Sequence, residues 1–265
     1  MRDFVRSHLV LDEFSARQPS LAYSIHSLYL DSSELRHYWD VINANKNRVK
    51  LRIRYYDDHP DSPVFFEIKR RSDAAIFKER APVRREAVAT LLAGHLPERR
   101  HLFSDNPKHF ATMQNFCRLI EEEQVTLKTH VAYQREAWMA REDNSVRVTF
   151  DRNVRSALHF DPIISSRMEN SVIPWGELVV LELKFTTRFP NWFLELVRIF
   201  GVMQCGVAKY AEGVAWLGED RLESAYPLPE SHDLVEKFLR QRGRRRQRGA
   251  DGILTTENNS SWMTS

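Results

Sequence analysis

Cysteine is almost missing from this chain: Cys117 and Cys205 stand far apart and form no CxxC pair. That excludes a disulfide framework and a structural zinc site, and leaves two core or helix-face thiols. Glycine is scarce as well, nine in 265 residues, and no GxxxxGK[ST], GxGxxG or GxSxG string occurs. P-loop, dinucleotide-binding and α/β-hydrolase chemistry fall with those strings. No apolar run reaches the roughly 18 uncharged residues of a membrane span, and the opening MRDFVRSHLV lacks the apolar stretch of a signal peptide. The chain therefore reads as cytoplasmic and without a span of its own. Its ten histidines include no HExxH, and their scatter fits surface or satisfied structural roles better than metal ligation. An excess of one charge is lacking too: 39 basic residues meet 36 acidic ones, a net charge of +3. Total charge therefore points to no partner, and position matters more.

What is present suffices for one large domain, since 42% of the residues are hydrophobic and 11% aromatic. No internal repeat is visible. The expected organisation is a lead-in with part of a helix over 1–20, a main domain over 21–217, a C-terminal helix over 218–242 (its apolar side at Leu234 and Phe238), and a disordered basic and polar tail over 243–265. Within the main domain, Asp31 is placed to cap a helix with Glu34 in its third position and Leu35, Tyr38, Trp39 and Ile42 at helical spacing, ending near Asn45. Phe110, Met113, Cys117 and Ile120 predict a second helix, and Pro190 opens a third that Gly201 stops or kinks.

The strands carry more information. In RVKLRIRY, residues 48–55, alternation puts Arg48, Lys50, Arg52 and Arg54 on one face and Val49, Leu51, Ile53 and Tyr55 on the other. VFFEIKRR sets Glu67, Lys69 and Arg71 opposite Phe66 and Ile68, and FKER continues with Lys78 and Arg80. VAYQREAWM offers Tyr133 and Arg135, VRVTFD offers Arg147, Thr149 and Asp151, and VVLELKF offers Glu182 and Lys184. A half-exposed strand carries mixed polar residues, because like charges in a row repel. Four cations in phase over residues 48–54 instead imply a compensating anion, and a closed antiparallel sheet converges such faces on one lumen while the apolar faces pack outward under helices. Glu67 and Glu182 each lie two residues from a same-face lysine, so each reads equally as a salt-bridge partner or as a ligand for a hard divalent cation. Arginines, lysines and one or two carboxylates are what phosphoryl transfer requires. Tyr55 and Phe66 fall opposite the cations, which argues against a nucleic-acid partner.

SIHSLYLDSSELRHYWD, RVKLRIRYY, VFFEIKRR, FKERAPVRRE, VAYQREAW, VRVTFDRNV, LVVLELKF and VAKYAEGV together resemble, in order from Tyr23 to Gly213, the VTC domain. This is the polyphosphate polymerase domain of the vacuolar transporter chaperone type, a branch of the CYTH-like triphosphate tunnel metalloenzymes. The resemblance implies an α+β fold in which an antiparallel β-barrel tunnel with flanking helices binds ATP and polyphosphate. It implies phosphotransferase activity that moves the terminal phosphate of ATP onto a growing chain with Mn2+ or Mg2+. Arg52, Arg54, Lys69, Arg135 and Lys209 would then act on the reacting phosphates. Lys50, Lys78, Arg80, Arg147, Lys184 and Tyr210 would bind substrate, and Glu182 and Glu67 the metal. The same resemblance implies a membrane protein as a partner and fixes no oligomeric state. A hydrolase of triphosphate or short polyphosphate, and a non-catalytic polyphosphate or nucleotide sensor, share the same fold and cations. Relatives begin with an RxExK strand. MRDFVRSHLVLDEFSARQPS holds none, so either the barrel lacks its first tunnel strand, exposing two edges, or that strand lies upstream of Met1. Ala208 stands where relatives often carry a serine.

Overall fold

The computed structural model describes residues 1–73, 75–143, 145–186, 188–222 and 254–256. The order is α1 (Arg2–Arg6), β1 (Val10–Leu11), α2 (Glu13–Ala16), β2 (Tyr23–Asp31), α3 (Arg36–Ile42), β3 (Arg48–Tyr55), β4 (Val64–Ser72), β5 (Ala75–Val83) and α4 (Ala87–Leu92), then α5 (Pro107–Glu123), β6 (Thr126–Met139), β7 (Val146–Leu158), β8 (Val180–Phe185), α6 (Asn191–Ile199), β9 (Met203–Gln204), α7 (Lys209–Leu217) and β10 (Leu254–Thr256). The class is α+β. From β5 the sheet runs β4, β3, β2, β6, β7, β8, each pair antiparallel. β10 lies parallel between β8 and β9.

From β5 to β8 the sheet is an antiparallel half-barrel. Among the described residues β5 and β8 share no ladder. The curl nevertheless brings them within electrostatic reach, since Lys78 of β5 feels Lys184 and Glu182 of β8. The alternation dictates the curl's two faces. On the outer face Leu51, Ile53, Tyr55, Phe66 and Ile68 are buried under α4 and α5, with Met113 and Phe116 filling the gap. The outer face of β6–β8 buries Trp138, Val148, Phe150 and Leu181 against Val5 of α1 and Phe193 and Leu196 of α6. Burial of such side chains stabilises each layer by roughly 1.5–3 kcal/mol per residue.

α7 has the opposite placement. It enters the concave side, where Tyr210, Ala211 and Val214 pack on Ile25, Tyr29, Val131, Tyr133 and Val180. Gly213 permits this approach, because a Cβ there would stand 2.8 Å from the Cβ of Ser156.

The helix expected after Asp31 begins later, at Arg36, because Leu35 takes a left-handed conformation (φ 55°). Asp31 still caps it: its carboxylate accepts from the backbone N–H of His37 and Tyr38 at 2.8 and 2.9 Å. Asn106 caps α5, whose first residue is Pro107. α6 follows Pro190, and Gly201 (φ 60°) turns the chain beyond it. The lead-in holds more than part of a helix. β1 pairs Val10 with Met139 and Leu11 with Trp138, so the segment, which holds no RxExK strand, still contributes a two-residue one. The expected helix over 218–242 is a 3-10 turn, Glu219–Arg221, at its start, and from residue 223 it lies outside the described residues. So does the expected tail, apart from β10. Among the described residues no helix is long and apolar enough to cross a membrane.

Candidate phosphate-binding cradle

Strand register orders the concave face into rows. Lys50, Lys69 and Lys78 stand side by side across β3, β4 and β5. The next row is Tyr29, Arg52, Glu67 and Arg80, and the one after it Ser27, Arg54, Phe65 and Pro82. On the facing strands Arg135 pairs with Asp151, Thr149 with Glu182, and Arg147 with Lys184. Lys209 reaches the same cluster from the first turn of α7.

Two carboxylate nodes fix the cations. At the first, Arg52 Nε donates to Glu67 Oε2 at 2.6 Å, with Arg54 Nε 3.8 Å from that oxygen and Arg80 Nε 3.4 Å from Oε1. Burial alone would push the Glu67 carboxyl up, but the charges of Arg52, Arg54 and Arg80 override it and hold it down at about 2. Arg52 also donates to the Tyr29 hydroxyl at 3.2 Å, while Arg54 makes two long contacts, to Ser27 Oγ at 3.3 Å and the Tyr133 hydroxyl at 3.4 Å. A guanidinium held that loosely can turn its donors to an incoming anion.

At the second node Arg135 grips Asp151 through both oxygens, at 2.7 and 2.8 Å, and Lys209 Nζ lies 2.8 Å from Asp151 Oδ2. Glu182 is adjacent, 2.8 Å from Lys184 Nζ, 3.7 Å from Arg135 and 3.8 Å from Lys209. Burial would raise the Glu182 carboxyl, yet Lys184, Arg135 and Lys209 together hold it well below the usual range. The ring of Tyr133 joins the two nodes, with Lys209 Nζ 4.9 Å and the Arg135 guanidinium 5.3 Å from its centroid. In the row of lysines, desolvation followed by the charges of Lys184, Lys69 and Arg52 draws the Lys78 ammonium down to about 8, against an opposing pull from Glu182.

The structure thus gathers Lys50, Arg52, Arg54, Glu67, Lys69, Lys78, Arg80, Arg135, Arg147, Glu182, Lys184 and Lys209 on one face. Arg147 is engaged from the lead-in, donating to Asp12 Oδ2 at 3.1 Å. Tyr210 is set apart from the cations: it is buried in α7, stacks on Tyr29 with centroids 5.0 Å apart, and donates its hydroxyl to Asp31 at 2.7 Å. Asp151 and Tyr133 are central here although alternation alone marked them merely as face residues. Tyr56 and Phe65 also belong to this face. Tyr55 and Phe66 do point outward, but their chain neighbours lie in phase with the arginines.

For a metal, the carboxylate left to donate is Glu182, which has Lys184 at 2.8 Å and Arg135 and Lys209 no nearer than 3.7 Å; no group of three or more His, Cys, Asp or Glu side chains suited to a metal exists among the described residues. Glu182 fits a hard divalent ion that completes its shell with phosphate oxygens and water. Glu67 and Asp151 fit less well, because guanidinium groups that do not deprotonate take both oxygens of each.

A family model described as "VTC domain" matches residues 1–218. Among solved structures, the chain is similar to a Bacillus halodurans protein described as a candidate adenylate cyclase, with 12% identity, a TM-score of 0.41, and coverage of 76% of this chain and 90% of that one. No curated protein matches.

Proposed function

The chain belongs to the VTC domain family, and on that footing we propose that its cradle is the site of an ATP–polyphosphate phosphotransferase, in which the terminal phosphate of ATP passes to a growing polyphosphate chain. The observation that carries this reading is the convergence on one concave face of cations from β3, β4, β5, β6, β7 and β8 and from the start of α7. Phosphoryl transfer requires little covalent help from a protein. It needs the phosphates aligned and their charge balanced in a site poor in water.

Each group has a part in that task. Arg52, Arg54 and Lys69 bind nucleotide or chain phosphates along β3 and β4. Arg135 and Lys209, already oriented by Asp151, address the transferred phosphoryl group, and the amides of the first turn of α7 add the positive end of a helix dipole. Lys50, Lys78 and Lys184 receive the remainder of the polyanion. Glu182 would hold Mn2+ or Mg2+, which when bound neutralises phosphate oxygens, while Asp151 keeps Arg135 and Lys209 in place. Glu67 keeps Arg52 and Arg80 in place.

The test is incubation of the chain with ATP and Mn2+, following long polyphosphate on a gel and free phosphate in solution. Long chains support the polymerase. Free phosphate alone would replace it with a triphosphate or polyphosphate hydrolase, and tight binding without turnover would replace it with a sensor.

A further inference from the structure

Next to the arginine row the concave face changes character. Tyr56 and Phe65 have ring centroids 5.8 Å apart, Tyr56 and Tyr23 6.2 Å, and Tyr23 and Phe14 6.0 Å. The interplanar angles, 72°, 57° and 57°, mean that these rings meet edge to face or tilted rather than covering one another. Tyr23, Tyr56 and Phe65 are half-buried, and Phe14 is exposed. Arg80 joins this group to the phosphate cradle. Its guanidinium lies 3.5 Å from the Phe65 centroid, donates to the Tyr56 hydroxyl at 3.0 Å, and sits 3.4 Å from Glu67.

A chain of bare phosphates makes no use of aromatic faces, since its recognition is charge and hydrogen bonding. A planar heterocycle does, because a base stacks on aromatic rings and on guanidinium planes alike. We infer that Tyr23, Tyr56, Phe65 and Arg80 form a nucleobase-stacking subsite at the edge of the cradle, so that this end receives the base of a nucleoside triphosphate while its phosphates lie along Arg52 and Arg54. The inference rests on the phosphate-binding reading above and adds a direction to it: the nucleotide occupies the aromatic end, and the phosphate chain extends toward Lys50, Lys69 and Lys78. Stacking is indifferent to hydrogen-bond pattern, so the subsite discriminates base from no base, and large ring from small, rather than adenine from guanine.

The test is calorimetric titration of ATP, GTP and inorganic tripolyphosphate into the full chain and into Tyr56→Leu, which keeps apolar bulk but no π-face, with Tyr56→Phe as the variant that keeps the ring. The expected result is similar affinity for ATP and GTP, and a ratio of ATP to tripolyphosphate affinity that falls roughly 5- to 100-fold in Tyr56→Leu and stays within about twofold in Tyr56→Phe. Tripolyphosphate binding in each variant doubles as the check of folding. If tripolyphosphate binds and Tyr56→Leu leaves the ratio unchanged, the stacking subsite is overturned while the phosphate cradle stands. If neither ligand binds the unaltered chain, both readings fall.

Discussion

Asp151, which has no exposed side-chain surface, is held by Arg135 through both of its oxygens, at 2.7 and 2.8 Å. Lys209 closes on the same carboxylate from α7 at 2.8 Å. One acid thus balances two cations that have almost no exposure of their own. Removing one member of such a buried group leaves its partners uncompensated, at a cost of about 3–5 kcal/mol. Asp151→Asn is expected to lower the melting temperature strongly in buffer. A bound polyanion would supply the missing negative charge, so tripolyphosphate should raise the variant's melting temperature more than that of the unaltered chain. Equal increments in both proteins would mean that the ligand lies away from Arg135 and Lys209.

Arg54 and Glu182 separate binding from turnover. Arg54 is held by two long hydrogen bonds and a 3.8 Å approach to Glu67, which keeps Arg52 and Arg80 as closer partners, so truncation leaves Glu67 compensated but removes charge-assisted donors from the ligand, each worth roughly 1.5–3 kcal/mol. Arg54→Ala should weaken tripolyphosphate binding roughly 10- to 100-fold. Glu182→Gln takes away a carboxylate from a cationic cluster. Metal-free binding of tripolyphosphate should therefore hold or tighten, while Mn2+-dependent turnover falls by about 100-fold or more. Titrations without metal and rate measurements across a Mn2+ series check the pair.

Lys78 gives the cradle a pH dependence in the alkaline range. Its ammonium, lowered to about 8 by desolvation and by Lys184, Lys69 and Arg52, is charged below that value and loses its proton above it. An anion favours the charged form, so the bound state holds the proton to higher pH. Affinity should be flat below pH 8 and fall above it, by at most about tenfold per pH unit. Lys78→Arg, charged throughout, should flatten the profile; a profile that keeps its slope assigns it to another group.

Away from the cradle, His26 Nδ1 and His130 Nε2 stand 3.0 Å apart, Tyr55 stacks on His26, and His159 meets His130 edge-on. Burial first, then Arg155 and Arg85, lowers His26 to about 4 against Asp58; burial, His26, His159 and Arg155 lower His130 to about 3. Both folded values lie below the unfolded value near 6.5, so the unfolded chain binds protons first. Stability is complete above about pH 6.5 and declines as pH falls toward 4, by about 3 kcal/mol for His26 alone. Denaturant unfolding between pH 7.5 and 4.5 should show this slope, reduced in His130→Gln.

Much of this was legible in the residues because period-two alternation is a strong signal. Arg52 with Arg54, Lys69 with Glu67, and Lys78 with Arg80 all fall on the face that alternation assigns them, and Leu51, Ile53 and Phe66 pack outward as a consequence. α7 was not legible. Its stretch KYAEGVAWL contains Gly213, a poor helix former that is there because Ser156 leaves no room for a Cβ. Asp151 on β7 and Lys209 on α7 are far apart in the chain, and no local pattern states that one will hold the other. The three histidines that meet on the outer side, His26, His130 and His159, were hidden for the same reason.

A crystal structure of the chain with tripolyphosphate tests the central claim most directly. The account predicts phosphate oxygens about 3 Å from the side chains of Arg52, Arg54, Arg135 and Lys209, within the concave face. Phosphate bound at saturating concentration anywhere else, with those four side chains in their present contacts to Glu67, Tyr133 and Asp151, would contradict it.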